Sequence, residues 1–228
     1  KLVRPDGVEV SDAGRLIWRG RSRELCFVGE SRGCRRVYGI PDIRDGKQGR
    51  ARVVTPGDVV VDALSLDRAG ETLAVVMGST EHPPEIYHAP AGDKASPPTR
   101  LTTVNPQVDT WKLPQIQRVS WKGADGDEVE GILELPPAYE AGKPLPMIVE
   151  IHGGPTAATP CCLQVAIYGR TLMPAKGYAV LSPNYHGSTG YGDEFMTKLV
   201  GRENDIEVED ILKGVDAMVE RGIADPER

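Results

Sequence analysis

Along the first hundred residues the apolar positions fall into short runs broken by polar turns, and the pattern recurs. "ELCFVGESRGCRRVYGI" (residues 24–40) and "TLAVVMGSTEHPPEIYHA" (residues 72–89) share one plan. An apolar strand (25–28 or 73–77) runs into a polar turn, and a return strand carries Val37 and Tyr38 or Ile86 and Tyr87. Downstream, "RVVTPG" from Arg52 aligns with "RLTTVN" from Arg100; Leu25 to Leu73 and Arg52 to Arg100 are both offsets of 48 residues. "SLDRAGETLAVV" adds a glycine-containing turn (67–71) between two apolar strands, a hairpin signature. A repeat of about 40–50 residues built from short strands and turns is the mark of β-propeller blades. Residues 1–112 are therefore expected to form a partial β-propeller of about two blades. Propellers usually close with about 4–8 blades, so the open sheet edges require further blades or a second chain.

Near Pro114 the pattern changes. "PQIQRVSWKGADGDEVEGILELP" predicts strands over 117–122 and 128–135, with Asp125-Gly126 as the hairpin signal between them. After a proline-rich loop, 147–151 read as a buried strand, 163–176 as a helix ended by Gly177, and "YAVLSP" as the next strand. The last helix is predicted over 206–221. Its Ile206, Ile211, Leu212, Val215, Met218 and Val219 are spaced to form one buried stripe. Alternating strand and helix predicts an α/β sheet with parallel strands and crossover helices over 113–228.

Composition narrows the function more than the fold. With 33 acidic and 27 basic residues and no basic run, neither a nucleic acid nor an anionic membrane is expected as a partner. No apolar stretch approaches the roughly 18 residues of a membrane span. Cys26, Cys34, Cys161 and Cys162 lack paired C-x-x-C spacing and read as free, mostly buried thiols of a reducing compartment. His82, His88, His152 and His186 show no metal-ligand spacing. No metal and no cofactor are expected, and the expected location is cytoplasmic. The first residue is Lys1, with no signal-peptide pattern after it.

One literal match to the serine-hydrolase nucleophile pattern exists, "GESRG" at Gly29 to Gly33. That pattern works on a sharp turn between a strand and a helix. Here an apolar strand precedes it and a β-branched, aromatic strand follows, so Ser31 reads as a hairpin-turn residue. Ser188, in "GST", has His186 where an elbow would need glycine. Glu203, Asp205, Glu207, Glu209 and Asp210 read as a solvated face and as helix N-terminal charges favoured by the macrodipole.

"VEIHGGPT", "SPNYHGSTGYGDEF" and "EDILKGVDAMVERGIADPER", in this order, closely resemble the prolyl oligopeptidase family of serine peptidases, in particular its acylaminoacyl-peptidase and dipeptidyl-peptidase-like branch. The resemblance is weak over 1–112 and strong over 113–228. It implies a mixed fold: the partial propeller over 1–112, then the N-terminal part of an α/β-hydrolase catalytic domain over 113–228. It also implies hydrolysis of oligopeptides or acylaminoacyl peptides through an acyl-enzyme. A carboxylesterase of the same fold, or a non-catalytic propeller-based binding or scaffold fragment, are the alternatives.

By the same resemblance, the turn His152-Gly153-Gly154 supplies part of the oxyanion hole, with a backbone N–H of Gly153 or Gly154 as donor. His152 is not expected as general base, because the family's catalytic histidine lies near the C-terminus of its domain. Tyr185, Gly187 and Tyr191 are expected to shape the substrate cleft. Relatives most often carry arginine at the position of His186, which puts any salt bridge there in doubt. The family's nucleophile motif would follow shortly after Arg228, with the aspartate and histidine of the triad later. The chain is thus expected to be a piece of a longer enzyme, inactive alone. Its expected partners are a short peptide or acyl-peptide substrate and the remainder of the same protein or a second chain completing propeller and sheet.

Overall fold

A computed structural model describes residues 8–11, 15–20, 23–41, 50–92, 96–165 and 170–228. The first sheet contains β1 (Glu9–Val10), β2 (Ile17–Arg19), β3 (Glu24–Ser31), β4 (Cys34–Pro41), β5 (Arg52–Val53), β6 (Val59–Leu66), β7 (Thr72–Ser79), β8 (Glu85–Pro90) and β9 (Thr99–Arg100). Two four-stranded antiparallel meanders make it up, β2-β3-β4-β5 and β6-β7-β8-β9. They meet at a single parallel pairing, Arg35 with Val60, and β1 pairs with the far end of β3. In β7 the alternation is direct: Leu73, Val75 and Met77 are buried while Ala74 is exposed. This period-2 pattern lets one face of each strand join a core with Cys26, Val28, Val37 and Val61.

The sequence repeat is a repeat of register. Glu24 faces Pro41 as Thr72 faces Pro90, and Phe27 faces Tyr38 as Val75 faces Tyr87. The third strand departs from the sequence alignment by one residue. Tyr38 lies opposite Val53 and Tyr87 opposite Arg100, so the counterpart of Arg100 is Val53 and not Arg52. Arg52 turns instead to Glu24, with Nε 2.6 Å from Oε1 and Nη2 2.8 Å from Oε2.

The second sheet holds β10 (Gln115–Lys122), β11 (Glu128–Leu135), β12 (Met147–Val149) and β13 (Ala179–Asn184) in the order β10-β11-β13-β12. Of its three pairings only β12 with β13 is parallel. The expectation of a parallel sheet is corrected to a mixed one. The tight turn at Asp125 (φ 53°) and Gly126 (φ 76°) forces β10 and β11 antiparallel, whereas the long 150–178 crossover permits the one parallel pair. The helices are α1 (Leu172–Ala175), α2 (Asp193–Thr197) and α3 (Ile206–Glu220).

The helix expected over 163–176 is far shorter. Residues 163–165 are not helical, 166–169 lie outside the described residues, and only the four residues of α1 form a helix. Pro174 accounts for this, because proline lacks an N–H and clashes in a helix interior but is tolerated in a first turn. In α3 the buried positions are Ile206, Asp210, Gly214 and Met218, while Leu212 is 59% exposed. The buried stripe therefore runs at steps of four through a carboxylate and a glycine, and not through Ile211, Leu212 and Val215. Trp121 of β10 sets this choice. Its indole packs on Gly214, and its Nε1 donates to the Asp210 carbonyl at 2.8 Å.

The two sheets dock through the tip of the β3–β4 hairpin. Its two turn residues, Arg32 (φ 51°) and Gly33 (φ 70°), are both left-handed, the geometry of a type I′ hairpin turn. Ser31 pairs with Cys34 across that turn, in no strand–elbow–helix setting. Arg32 donates its amide to the Gly190 carbonyl at 3.0 Å and its Nη2 to Glu128 and Glu130 at 2.9 and 2.5 Å. The Gly33 carbonyl accepts from the Cys161 amide at 2.8 Å, and Arg118 reaches Asp58 at 3.1 Å. All four cysteines are buried with free thiols.

Candidate functional site

Past β12 the chain leaves the sheet as an exposed turn at Gly153 and Gly154, with His152 half-buried behind it. Gly154 has φ +136°, and a Cβ there would lie 2.9 Å from the Thr156 nitrogen. Only glycine takes that backbone without strain. Gly153 has open space around its Cβ position. Among the described residues, the N–H groups of Gly153 and Gly154 have no hydrogen-bond acceptor.

The turn is fixed from beneath by β13 and the loop after it. Asn184 accepts from the Thr159 amide at 2.7 Å and donates to the Thr159 carbonyl at 3.1 Å. The Thr189 amide donates to the Ala157 carbonyl at 3.0 Å. The His152 imidazole lies flat on the Tyr185 ring, centroids 4.5 Å apart and planes 10° from parallel. His152 Nε2 is 3.0 Å from the Ser188 hydroxyl and Nδ1 is 3.0 Å from the Gly153 carbonyl, while the Tyr185 hydroxyl donates to the His152 carbonyl. Burial lowers the pKa of His152 below the ordinary imidazole value, with the Gly153 carbonyl and Glu150 opposing.

Two residues past the turn, between the first sheet and the loops after β12 and β13, begins the wall of a cavity of about 510 Å³ lined by Glu30, Arg35, Thr156, Ala157, Gln164 and Thr189 among others; Gly153 and Gly154 do not line it. Its size lies within the range of small-ligand sites, roughly 300–1,000 Å³. Tyr185, Gly187 and Tyr191 do not line it. Tyr185 is buried under His152, and Gly187 (φ +102°) packs on Leu199, where a Cβ would come within 2.7 Å of Cδ2. Tyr191 takes a hydrogen bond from Asn184 at 3.0 Å, and burial raises its phenol pKa. Only Tyr185 of the three touches the glycine turn.

His186 is fully buried and stacks on Phe195, centroids 4.2 Å apart. Its Nδ1 is 2.6 Å from Asp210 Oδ2 and its Nε2 is 3.1 Å from Asp127 Oδ2. Each ring nitrogen of His186 thus has a carboxylate oxygen within hydrogen-bond distance. Lys198 and then His186 hold the Asp127 carboxyl below its ordinary pKa. Asp210 is likewise not on a solvated face. It is 0% exposed and also accepts the Ala124 amide at 2.8 Å and the His186 amide at 2.8 Å. Its place four residues from both Ile206 and Gly214 was the available signal. Ser188, 0% exposed, is the residue that sequence reasoning missed as the partner of His152. No cluster that could hold a metal ion occurs among the described residues, and no helix there is long and apolar enough to cross a membrane.

Comparisons with known proteins converge. Residues 166–228 match the prolyl oligopeptidase family. The chain is 30% identical, over 92% of its length and 29% of the other's, to the acylamino-acid-releasing enzyme of Arabidopsis thaliana. It superimposes on the uncomplexed acylaminoacyl peptidase of Pyrococcus horikoshii with TM-score 0.77 and 24% identity, covering 98% of this chain and 32% of that one. An acylaminoacyl peptidase in complex with Z-Gly-Gly-Phe-chloromethyl ketone gives TM-score 0.78 at 23% identity, covering 98% and 33%. The chain therefore spans about a third or less of the length of these proteins, and over that span it is a relative of the prolyl oligopeptidase family of serine peptidases.

Proposed function

We propose that this chain is part of a serine peptidase that hydrolyses short peptides or acylaminoacyl peptides through an acyl-enzyme, and that the 152–154 turn provides the oxyanion hole. In this reading residues 1–112 are two blades of a β-propeller, and 113–228 are the N-terminal part of the α/β-hydrolase domain. The observation that carries it is the pair of acceptor-free N–H groups at Gly153 and Gly154, in an exposed turn at the end of a strand and two residues before the wall of a cavity of ligand size. A developing alkoxide oxygen needs such donors, fixed in advance and unobstructed by side chains. Peptide-like occupants suit the cavity because it mixes carboxylates, an arginine and hydroxyls with apolar wall. The two meanders with matched register support the propeller assignment.

The nucleophile is inferred to come from residues outside this chain. Ser31 closes a hairpin and Ser188 is buried under the turn with His152, so neither presents its hydroxyl at the cavity. The complete protein is expected to hydrolyse N-acetyl-alanyl p-nitroanilide and to be labelled by a fluorophosphonate on a serine other than these two. Gly154→Ala, which forces the turn out of its left-handed conformation, should lower kcat by about 10²-fold, the scale of a lost oxyanion donor. Cleavage of p-nitrophenyl esters without any amide hydrolysis would instead favour the carboxylesterase. Labelling at Ser31 or Ser188 would refute the assignment.

A further inference from the structure

We infer that Tyr185 is a positioning residue for the oxyanion turn, acting with His152 and Ser188 to hold both donor peptides in one orientation; this rests on the function proposed above. The geometry is a short chain of contacts. A carbonyl can only accept, so the 3.0 Å contact from Nδ1 to the Gly153 oxygen places the imidazole proton on Nδ1. Nε2 of the neutral ring is then an acceptor, and the Ser188 hydroxyl donates to it at 3.0 Å. The Tyr185 hydroxyl donates to the carbonyl of His152 itself. Ring stacking on Tyr185 removes the remaining freedom of the imidazole.

Two successive carbonyls, those of His152 and Gly153, are thereby tied to one small cluster. Their peptides are trans; the cis bond of this segment is the next one, Gly154-Pro155. In a trans peptide the N–H points opposite to the C=O. Anchoring the His152 carbonyl therefore aims the Gly153 N–H, and anchoring the Gly153 carbonyl aims the Gly154 N–H, each away from the buried cluster. Two adjacent N–H groups so aimed form an anion-binding concavity. Without the anchors, glycine at both positions would let either peptide flip, since glycine samples both signs of φ readily. The loop sequence "NYHGS" thus contributes a tyrosine hydroxyl and a serine hydroxyl that never meet substrate and yet set where its oxygen is held.

Tyr185→Phe in the complete protein removes only the hydroxyl and keeps the stacked ring; Ser188→Ala releases the imidazole from the other side. Each should lower kcat on the anilide about tenfold, within the about 10²- to 10³-fold lost with an entire donor, while KM and Tm stay near wild type. With selectively 15N-labelled glycine, Tyr185→Phe should also move the Gly153 amide resonance, since that nitrogen shares a peptide with the released carbonyl. A wild-type kcat overturns the inference, and so does a parallel fall of kcat, KM and Tm, which marks a merely structural role. If the wild-type protein hydrolyses nothing, the proposed function fails, and the amide resonance still decides the clamp: an unmoved Gly153 signal refutes it.

Discussion

At the residue scale, His152 shows how burial and a single hydrogen bond divide the work of a side chain. Desolvation lowers its pKa, so the folded protein holds it neutral where an exposed imidazole would begin to charge. The sign of the pH dependence follows. The unfolded chain takes up the proton near the ordinary value, about 6.5, before the folded one does. Stability present at neutral pH is then lost as pH falls through that value towards the lower folded pKa. Protonation also turns Nε2 into a donor, so the Ser188 hydroxyl must rotate from donating to accepting. Thermal melts between pH 7.5 and 5 should show Tm falling on acidification, and His152→Phe, which keeps a ring on Tyr185, should flatten that part of the profile. An unchanged profile in the variant would locate the effect elsewhere. His186, 0% exposed where His152 is half-buried, has a carboxylate at each ring nitrogen.

At the element scale, α3 is held by what its sequence lacks. A Cβ on Gly214 would lie 2.7 Å from Trp121 Cζ2, and the indole cannot retreat because Nε1 is bonded to the Asp210 carbonyl and the ring also rests on Gly131. Alanine in place of a helix-interior glycine ordinarily gains about 0.5–1 kcal/mol, but overpacking a fixed core site costs about 1–3 kcal/mol. Gly214→Ala is expected to be destabilising on balance, and chemical denaturation showing a gain in stability would contradict the packing described. The same helix shows why some of the fold was legible and some was not. Its limits follow from periodicity, and the strand pairs β3–β4 and β7–β8 follow from alternation, because both patterns are local. Asp210 in the buried stripe depends on the Trp121 indole and the Gly123–Asp127 turn, nearly ninety positions earlier in sequence, and no local pattern carries that. Pro174 was visible and decisive: its position limits α1 to one turn. The glycine turn of the candidate site was legible as a motif, whereas its support by Ser188 and Tyr185 exists only once β12 and β13 lie side by side.

At the scale of the whole molecule, the site stands where three things meet: the end of the parallel β12–β13 pair, the loop after β13, and the hairpin tip of the first sheet. Arg32 ties that tip to Glu128 and Glu130, and the Gly190 and Cys161 backbones complete the contact. The exposed half of the ion-pair set contributes little by itself; the backbone bonds give the joint its register. The cavity is walled by the first sheet on one side and by the loops after β12 and β13 on the other, so its shape depends on that joint. The central claim is that the Gly153 and Gly154 amides receive the oxyanion. The most direct test is a crystal structure of the complete protein trapped with a peptidyl chloromethyl ketone. The account predicts the hemiketal oxygen at about 2.7–3.1 Å from one or both of these nitrogens, with the Tyr185 hydroxyl still on the His152 carbonyl. A hemiketal oxygen held by other donors, with both glycine amides facing solvent, would contradict it.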